Sequence, residues 1–174
     1  MDLSTAPAQL AVNGVLLHYL DQGHGVPVVF VHGSVNDYRS WSPQIAPFAD
    51  QYRVITYGRR YHYPNRAPGP GAAYAAATQV DDLATLVREL GLGAVHLVGS
   101  SYGALVALVL AAQQPVLVRT LGFSGIFAAP LAGVRRGAAR AGAGDQNWLG
   151  RTWPVSSPSV CSPVPPLVPD STPA

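Results

Sequence analysis

Val95-His96-Leu97-Val98-Gly99-Ser100-Ser101-Tyr102-Gly103-Ala104 is the stretch on which the reading of this chain turns. An apolar run of strand character leads into the pentapeptide Gly99-Ser100-Ser101-Tyr102-Gly103, and a helix-like run from Ala104 to Gln113 follows it. That is G-x-S-x-G in a strand–turn–helix setting. A strand turning this sharply into a helix strains the backbone of its central residue and crowds the residues two positions away on either side. Only very small residues fit there, which accounts for both glycines. The turn lifts the Ser101 hydroxyl clear of the sheet edge, and backbone N–H groups at the helix start can face the same point. Ser101 is therefore the candidate nucleophile.

Working outward, the same alternation recurs. Gln9–Gly14 and Val15–Asp21 flank Asn13-Gly14, a hairpin signal. Val26-Pro27-Val28-Val29-Phe30-Val31 is apolar almost throughout, as expected of a strand buried on both faces of a parallel sheet. Tyr38–Phe48 predicts a short helix interrupted at Pro43 and Pro47, and Tyr52–Tyr57 another strand. Thr78–Leu90 carries Val80, Leu83, Leu86, Val87 and Leu90 at helical spacing, with Gly91 as its stop. Val116–Phe123 predicts a last strand. Strands alternating with helices predict an α/β fold, with a mainly parallel sheet flanked by helices.

Composition removes several function classes. The 174 residues suffice for one domain with a proper core, and 48% hydrophobic against 11% charged residues is not the make-up of a disordered chain. A net charge of +2 gives no electrostatic case for nucleic acid. The single cysteine, Cys161, leaves no internal disulfide and no cysteine-rich zinc site. Met1-Asp2-Leu3-Ser4 opens no signal peptide, and the run Ala104–Ala112 is too short to cross a bilayer. A cytoplasmic protein without membrane or nucleic-acid partners is expected.

The strand ending in Val31-His32-Gly33-Ser34 and the turn at Ser101 occur in the order and spacing of the α/β-hydrolases. The segment from Leu10 to Leu121 resembles the N-terminal part of that family, including the Asn13-Gly14 hairpin, Trp41, the strand and loop from Tyr52 to Arg60, and the Asp81-Asp82 helix. The resemblance implies hydrolysis of an ester or related small substrate through a Ser101 acyl-enzyme. It implies an oxyanion hole built from the backbone N–H groups of Ser34 and Tyr102, and neither a metal nor an organic cofactor. A small molecule is the partner it implies. It makes His32 an anchor of its loop rather than a base. Asp81 and Asp82 lie near the start of a helix, where a favourable dipole accounts for them without catalysis. Where relatives carry an acidic residue and a glycine, this chain reads Tyr57-Gly58-Arg59-Arg60-Tyr61-His62-Tyr63, a loop expected to shape the mouth of the site.

After the elbow the pattern changes. The histidines are His18, His24, His32, His62 and His96, so none follows Ser101, and the later acids are Asp145 and Asp170 alone. The family's order of nucleophile, acid and histidine is thus not completed, which makes an inactive, truncated product or a non-catalytic binding protein the alternative. Residues 1–125 are expected to hold the hydrolase part. Residues 126–174 are expected to be an irregular Gly/Ala/Arg then Pro/Ser-rich tail, disordered and arising from a frame change between Leu121 and Pro130. The sheet would be incomplete on its C-terminal side, with self-association through its open edge.

Overall fold

The computed structural model describes residues 6–67, 69 and 75–124. It begins with the hairpin, β1 (Ala8–Val12) and β2 (Val15–Gln22), joined by Asn13 and Gly14 at φ +44° and +78°. Both φ values are positive, as the tight turns that match strand twist require. β3 (Pro27–Val31) leads through a 3₁₀ turn at Tyr38–Trp41 to α1 (Ser42–Ala49) and β4 (Arg53–Tyr57). Then come α2 (Ala76–Glu89), β5 (Val95–Ser100), α3 (Tyr102–Gln113) and β6 (Val118–Ser124).

The strands lie in the order β1-β2-β4-β3-β5-β6. The hairpin joins β4 antiparallel, while β4, β3, β5 and β6 run parallel. The chain moves from β3 to β4 on one side, then crosses to β5 on the other. The sheet therefore has its topological switch point between β3 and β5, where open α/β sheets receive ligands at the carboxyl ends of their strands.

Alternation along the central strands serves two cores. Val28, Phe30, Val54 and Val98 face α1, with Trp41 and Ile45. Val29, Val31, Ile55 and Leu97 face the other layer, meeting Val80, Leu83 and Val87 of α2 and Val106 and Leu110 of α3. This period-2 division is why β3 reads as continuous hydrophobicity.

Differences from the expected boundaries are local. Pro43 does not interrupt a helix; it occupies the first turn of α1, where a missing N–H breaks no intrahelical bond. Pro115 opens a 3₁₀ turn, Pro115–Leu117, that delays the last strand to Val118. α2 starts at Ala76, so Asp81 and Asp82 lie beyond its first turn and a helix dipole does not account for them. The expected tail, Cys161, Asp145 and Asp170 lie outside the described residues, as does the window of the expected frame change beyond Ser124.

Candidate functional site

The elbow is built as its glycines require. Ser101 sits at φ +49°, ψ −119°, a conformation rarely adopted by a residue with a side chain, between the end of β5 and the first residue of α3. A Cβ on Gly99 would come within 2.5 Å of the Ala104 Cα, and one on Gly103 within 2.3 Å of the Val31 carbonyl oxygen. Neither contact can be relieved by moving a side chain, so both positions exclude anything larger. The Ser101 N–H donates to the Ser124 carbonyl on β6 (3.0 Å), and its own carbonyl accepts from the Ala104 N–H (3.0 Å). Tyr102 opens α3, so its N–H belongs to the first turn, which has no intrahelical acceptor.

The loop after β3 lies directly against this turn. A Cβ on Gly33 would meet the Ser101 Cβ at 3.3 Å and its Oγ at 3.9 Å. Gly33 is buried, Ser34 exposed, and Ser101 and Tyr102 half-buried. The three residues singled out in the sequence, Ser34, Ser101 and Tyr102, thus come from two loops that meet at the switch point.

A third loop, after β4, holds the first. Arg59 is 2% exposed. Its Nε donates to the His32 carbonyl (2.9 Å), its Nη2 to the Gly33 carbonyl (3.0 Å) and its Nη1 to Gln79 Oε1 (3.2 Å). Its guanidinium lies 5.0 Å from the centroid of the Tyr102 ring, a cation–π distance. His62 places Nε2 3.1 Å from the Ser34 carbonyl oxygen and 3.3 Å from Arg59 Nη2. Three consecutive carbonyls, 32 to 34, are therefore met by side chains of this loop. Asn65 fixes the loop in turn, donating to the carbonyls of Gly58 and Arg59 and accepting from the His18 N–H of β2.

His32 is fully buried, and its tautomer follows from its partners. Nε2 accepts the Arg59 backbone N–H (2.9 Å), so Nδ1 carries the proton and donates to the Gly33 carbonyl (2.8 Å). Burial first, and the neighbouring Arg59 charge second, lower its pKa to about 3. It is a neutral structural brace, as the resemblance implies. Burial also lowers the Arg59 pKa, and none of the Arg59 hydrogen bonds among the described residues goes to a carboxylate.

Arg60, the next residue, faces away from Ser101. It forms a two-pronged bond with Asp82 of α2, Nε to Oδ2 and Nη2 to Oδ1, each 2.7 Å. It also donates to the Asn13 carbonyl (3.1 Å). Asn13, Arg60, Thr78, Asp81, Thr85 and Arg88 border an open hollow of about 400 Å³ between hairpin and α2, away from the elbow. Among the described residues no group of three or more His, Cys, Asp or Glu could hold a metal ion, and no helix is long and apolar enough to cross a membrane.

The sequence marks the loop of Arg59 and His62 as the mouth of the site, but neither their grip on residues 32 to 34 nor any role for Gln79 was legible. Arg59 and Gln79 stand among polar and aromatic neighbours, and the partners that define them lie twenty or more positions away, so no local pattern marks them.

Comparison with known proteins agrees with this fold. Residues 26–158 match the family model described as alpha/beta hydrolase fold. The chain is 33% identical over 113 residues to an (E)-2-((N-methylformamido)methylene)succinate hydrolase of Acinetobacter baylyi, covering 63% of this chain and 41% of that protein. Epoxide hydrolase VrEH1 from Vigna radiata superposes with a TM-score of 0.67 at 27% identity, over 71% of this chain and 39% of that one. Est816, described as an N-acyl homoserine lactone degrading enzyme, superposes with a TM-score of 0.65 at 27% identity, over 68% and 45%. The chain spans about two fifths of the length of these relatives.

Proposed function

The chain belongs to the α/β hydrolase fold family, and from that premise we propose that it acts on a carbonyl substrate, an ester, lactone or amide-like bond, through an acyl-enzyme on Ser101. The observation that carries this reading is the identity of the residue at the strained turn, a serine held at φ +49° between two glycines that tolerate no side chain.

The chemistry separates two classes found among the relatives. Attack of the serine oxygen on a carbonyl carbon pushes the π electrons onto the carbonyl oxygen. Collapse of that tetrahedral species expels the leaving group and leaves an ester on Ser101, which water can cleave. Attack of the same oxygen on an epoxide carbon would leave an ether, which water does not cleave. A covalent route for epoxides needs a nucleophile whose adduct is itself hydrolysable, such as a carboxylate. The elbow of this chain carries a hydroxyl.

The backbone N–H groups of Ser34 and Tyr102 serve in this reading as donors to the developing oxyanion. A donor so placed is worth ~2.7–4 kcal/mol in the transition state. No histidine follows Ser101 in the 174 residues, so in this reading the hydroxyl proton passes to water, and an ester whose leaving group departs without a proton is the substrate to use. Acylation by an activated ester is accordingly the step to measure.

Incubation with p-nitrophenyl acetate should release p-nitrophenol and leave an acetyl group on the Ser101 peptide, read by mass spectrometry. Ser101→Ala should lose both, while styrene oxide should remain unopened. Equal p-nitrophenol release by the Ser101→Ala protein, or opening of styrene oxide, would overturn the reading.

A further inference from the structure

The grip of the loop after β4 on the loop after β3 acts on one particular peptide plane. The carbonyl of Gly33 and the N–H of Ser34 belong to the same peptide unit. That unit is trans, the cis bond among the described residues being Tyr63–Pro64. In a planar trans peptide the C=O and N–H point in opposite directions. Whatever holds the Gly33 oxygen on one side therefore aims the Ser34 N–H at the other.

Two donors hold that oxygen, Arg59 Nη2 at 3.0 Å and His32 Nδ1 at 2.8 Å. Arg59 Nε adds a parallel bond to the preceding carbonyl, that of His32, at 2.9 Å. A planar guanidinium offers both donors from one rigid group, which a single ammonium cannot copy. We propose that Arg59 is a positioning residue that sets the direction of the Ser34 N–H, turning the Gly33–Ser34 peptide so that its donor faces the Ser101 side. The proposal rests on the acyl-enzyme reading above for its catalytic consequence, but not for its geometry.

The arrangement explains why a cation is buried here with no carboxylate among its described partners. An acidic partner would draw the guanidinium away from the two carbonyls. Its neighbours are instead neutral, the two loop oxygens, Gln79 and His62 Nε2, while the Tyr102 ring at 5.0 Å covers a face of the charge. Arg59 thus touches both loops whose N–H groups would meet an oxyanion, the one after β3 through carbonyls and the start of α3 through a ring.

The test is the rate of Ser101 acylation by p-nitrophenyl acetate in Arg59→Lys, with Arg59→Gln, which buries no charge, as the second variant should the first fail to fold. A fall of about 10²-fold in the maximal acylation rate is expected, with the half-saturating ester concentration moving less than about threefold. A fall below about tenfold, or a loss confined to the half-saturating concentration, would overturn the proposal.

Ser34→Pro removes the N–H itself, and Arg59→Lys placed on that background should cost less than about threefold more. A second full loss there would mean that Arg59 acts through something other than the Ser34 N–H, and the proposal would fall. Should the unaltered protein show no acylation of Ser101, the functional reading fails. The crystal structure of Arg59→Gln then decides the inference alone: a turned Gly33–Ser34 peptide upholds it, and an unturned one ends it.

Discussion

Arg59 and Arg60 leave the same loop in opposite directions, and the two regions they reach are built on different electrostatics. Arg60 runs to the hairpin end of the molecule, where Asp82 of α2 neutralises it and Asn13 closes the cluster. Arg59 runs to the carboxyl end of the sheet, where it meets carbonyl oxygens, an amide and an aromatic ring. Both are buried, 2% and 8% exposed. The first region is a clasp whose charges cancel. The second keeps its positive charge with no carboxylate partner among the described residues, close to Ser101 and its strained backbone. Burying an ion without a counter-ion is costly for folding, so it marks a place where something besides stability is served. The comparison divides the molecule into a part that holds the sheet together and a part that aims groups at Ser101.

The strongest way to break that division is through Asp82. Asp82→Asn leaves the Arg60 charge buried beside a neutral amide. Removing one partner of a buried ion pair costs about 3–5 kcal/mol. Both side chains here are almost wholly covered, at 8% and 2% exposure for Arg60 and Asp82. Urea unfolding near neutral pH should show a loss of that size, while acylation of Ser101 per folded molecule stays as it was. A loss of acylation as large as that expected of Arg59→Lys would show that the clasp and the site are one unit.

The site region has its own signature in pH. His32 is held neutral with a pKa near 3 against an ordinary 6.5, first by burial and then by Arg59. Between those values the unfolded chain binds a proton that the folded chain does not. Stability therefore rises with pH across the window and is lost as pH falls below 6.5, by about 1.4 kcal/mol per unit, or about 2 kcal/mol by pH 5. His96, whose pKa burial also lowers, contributes with the same sign. Urea unfolding near pH 7 and pH 5 reads the slope, and NMR of the His32 ring assigns its share. A His32 ring that gains its proton above about pH 5.5 in the folded protein would show that burial, with the Arg59 charge behind it, does not hold the ring neutral as the structure has it.

What the sequence made legible follows the same division. The hairpin, the buried parallel strands and the elbow each rest on local rules: Asn-Gly in a tight turn, unbroken β-branched runs, glycines two positions from a strained serine. Those rules act over a few residues, and the structure follows them to within a residue or two. The loop from Gly58 to Asn65 obeys none. Arg59 is defined by carbonyls of residues 32 and 33 and by Gln79, some twenty or more positions away. Asp82 is defined by Arg60 and Asn13, which is why a dipole at a helix start was the reading available to the sequence and a buried ion pair is the structure. Long-range polar pairing leaves no periodic trace, whereas apolar burial does.

The smallest effect sharpens the comparison at its stabilising end. Asn13 has two roles that Asn13→Gly separates. Its backbone turns at φ +44°, which glycine adopts freely. Its carbonyl, which accepts from Arg60, is retained in the variant. Its side chain, which donates to Asp82 Oδ1 at 3.0 Å and accepts from the Thr85 hydroxyl at 3.3 Å, is lost. Asp82 keeps both bonds from Arg60, so no charge is stranded; two hydrogen bonds go, one of them exposed, while glycine relieves the positive φ, and the net cost should be about 1 kcal/mol. Thermal or urea unfolding measures it. A cost approaching that of Asp82→Asn would mean that Arg60 and Asp82 depend on Asn13 for their geometry, making the clasp a three-residue unit; a cost near zero would mean that the ion pair alone secures the hairpin to α2.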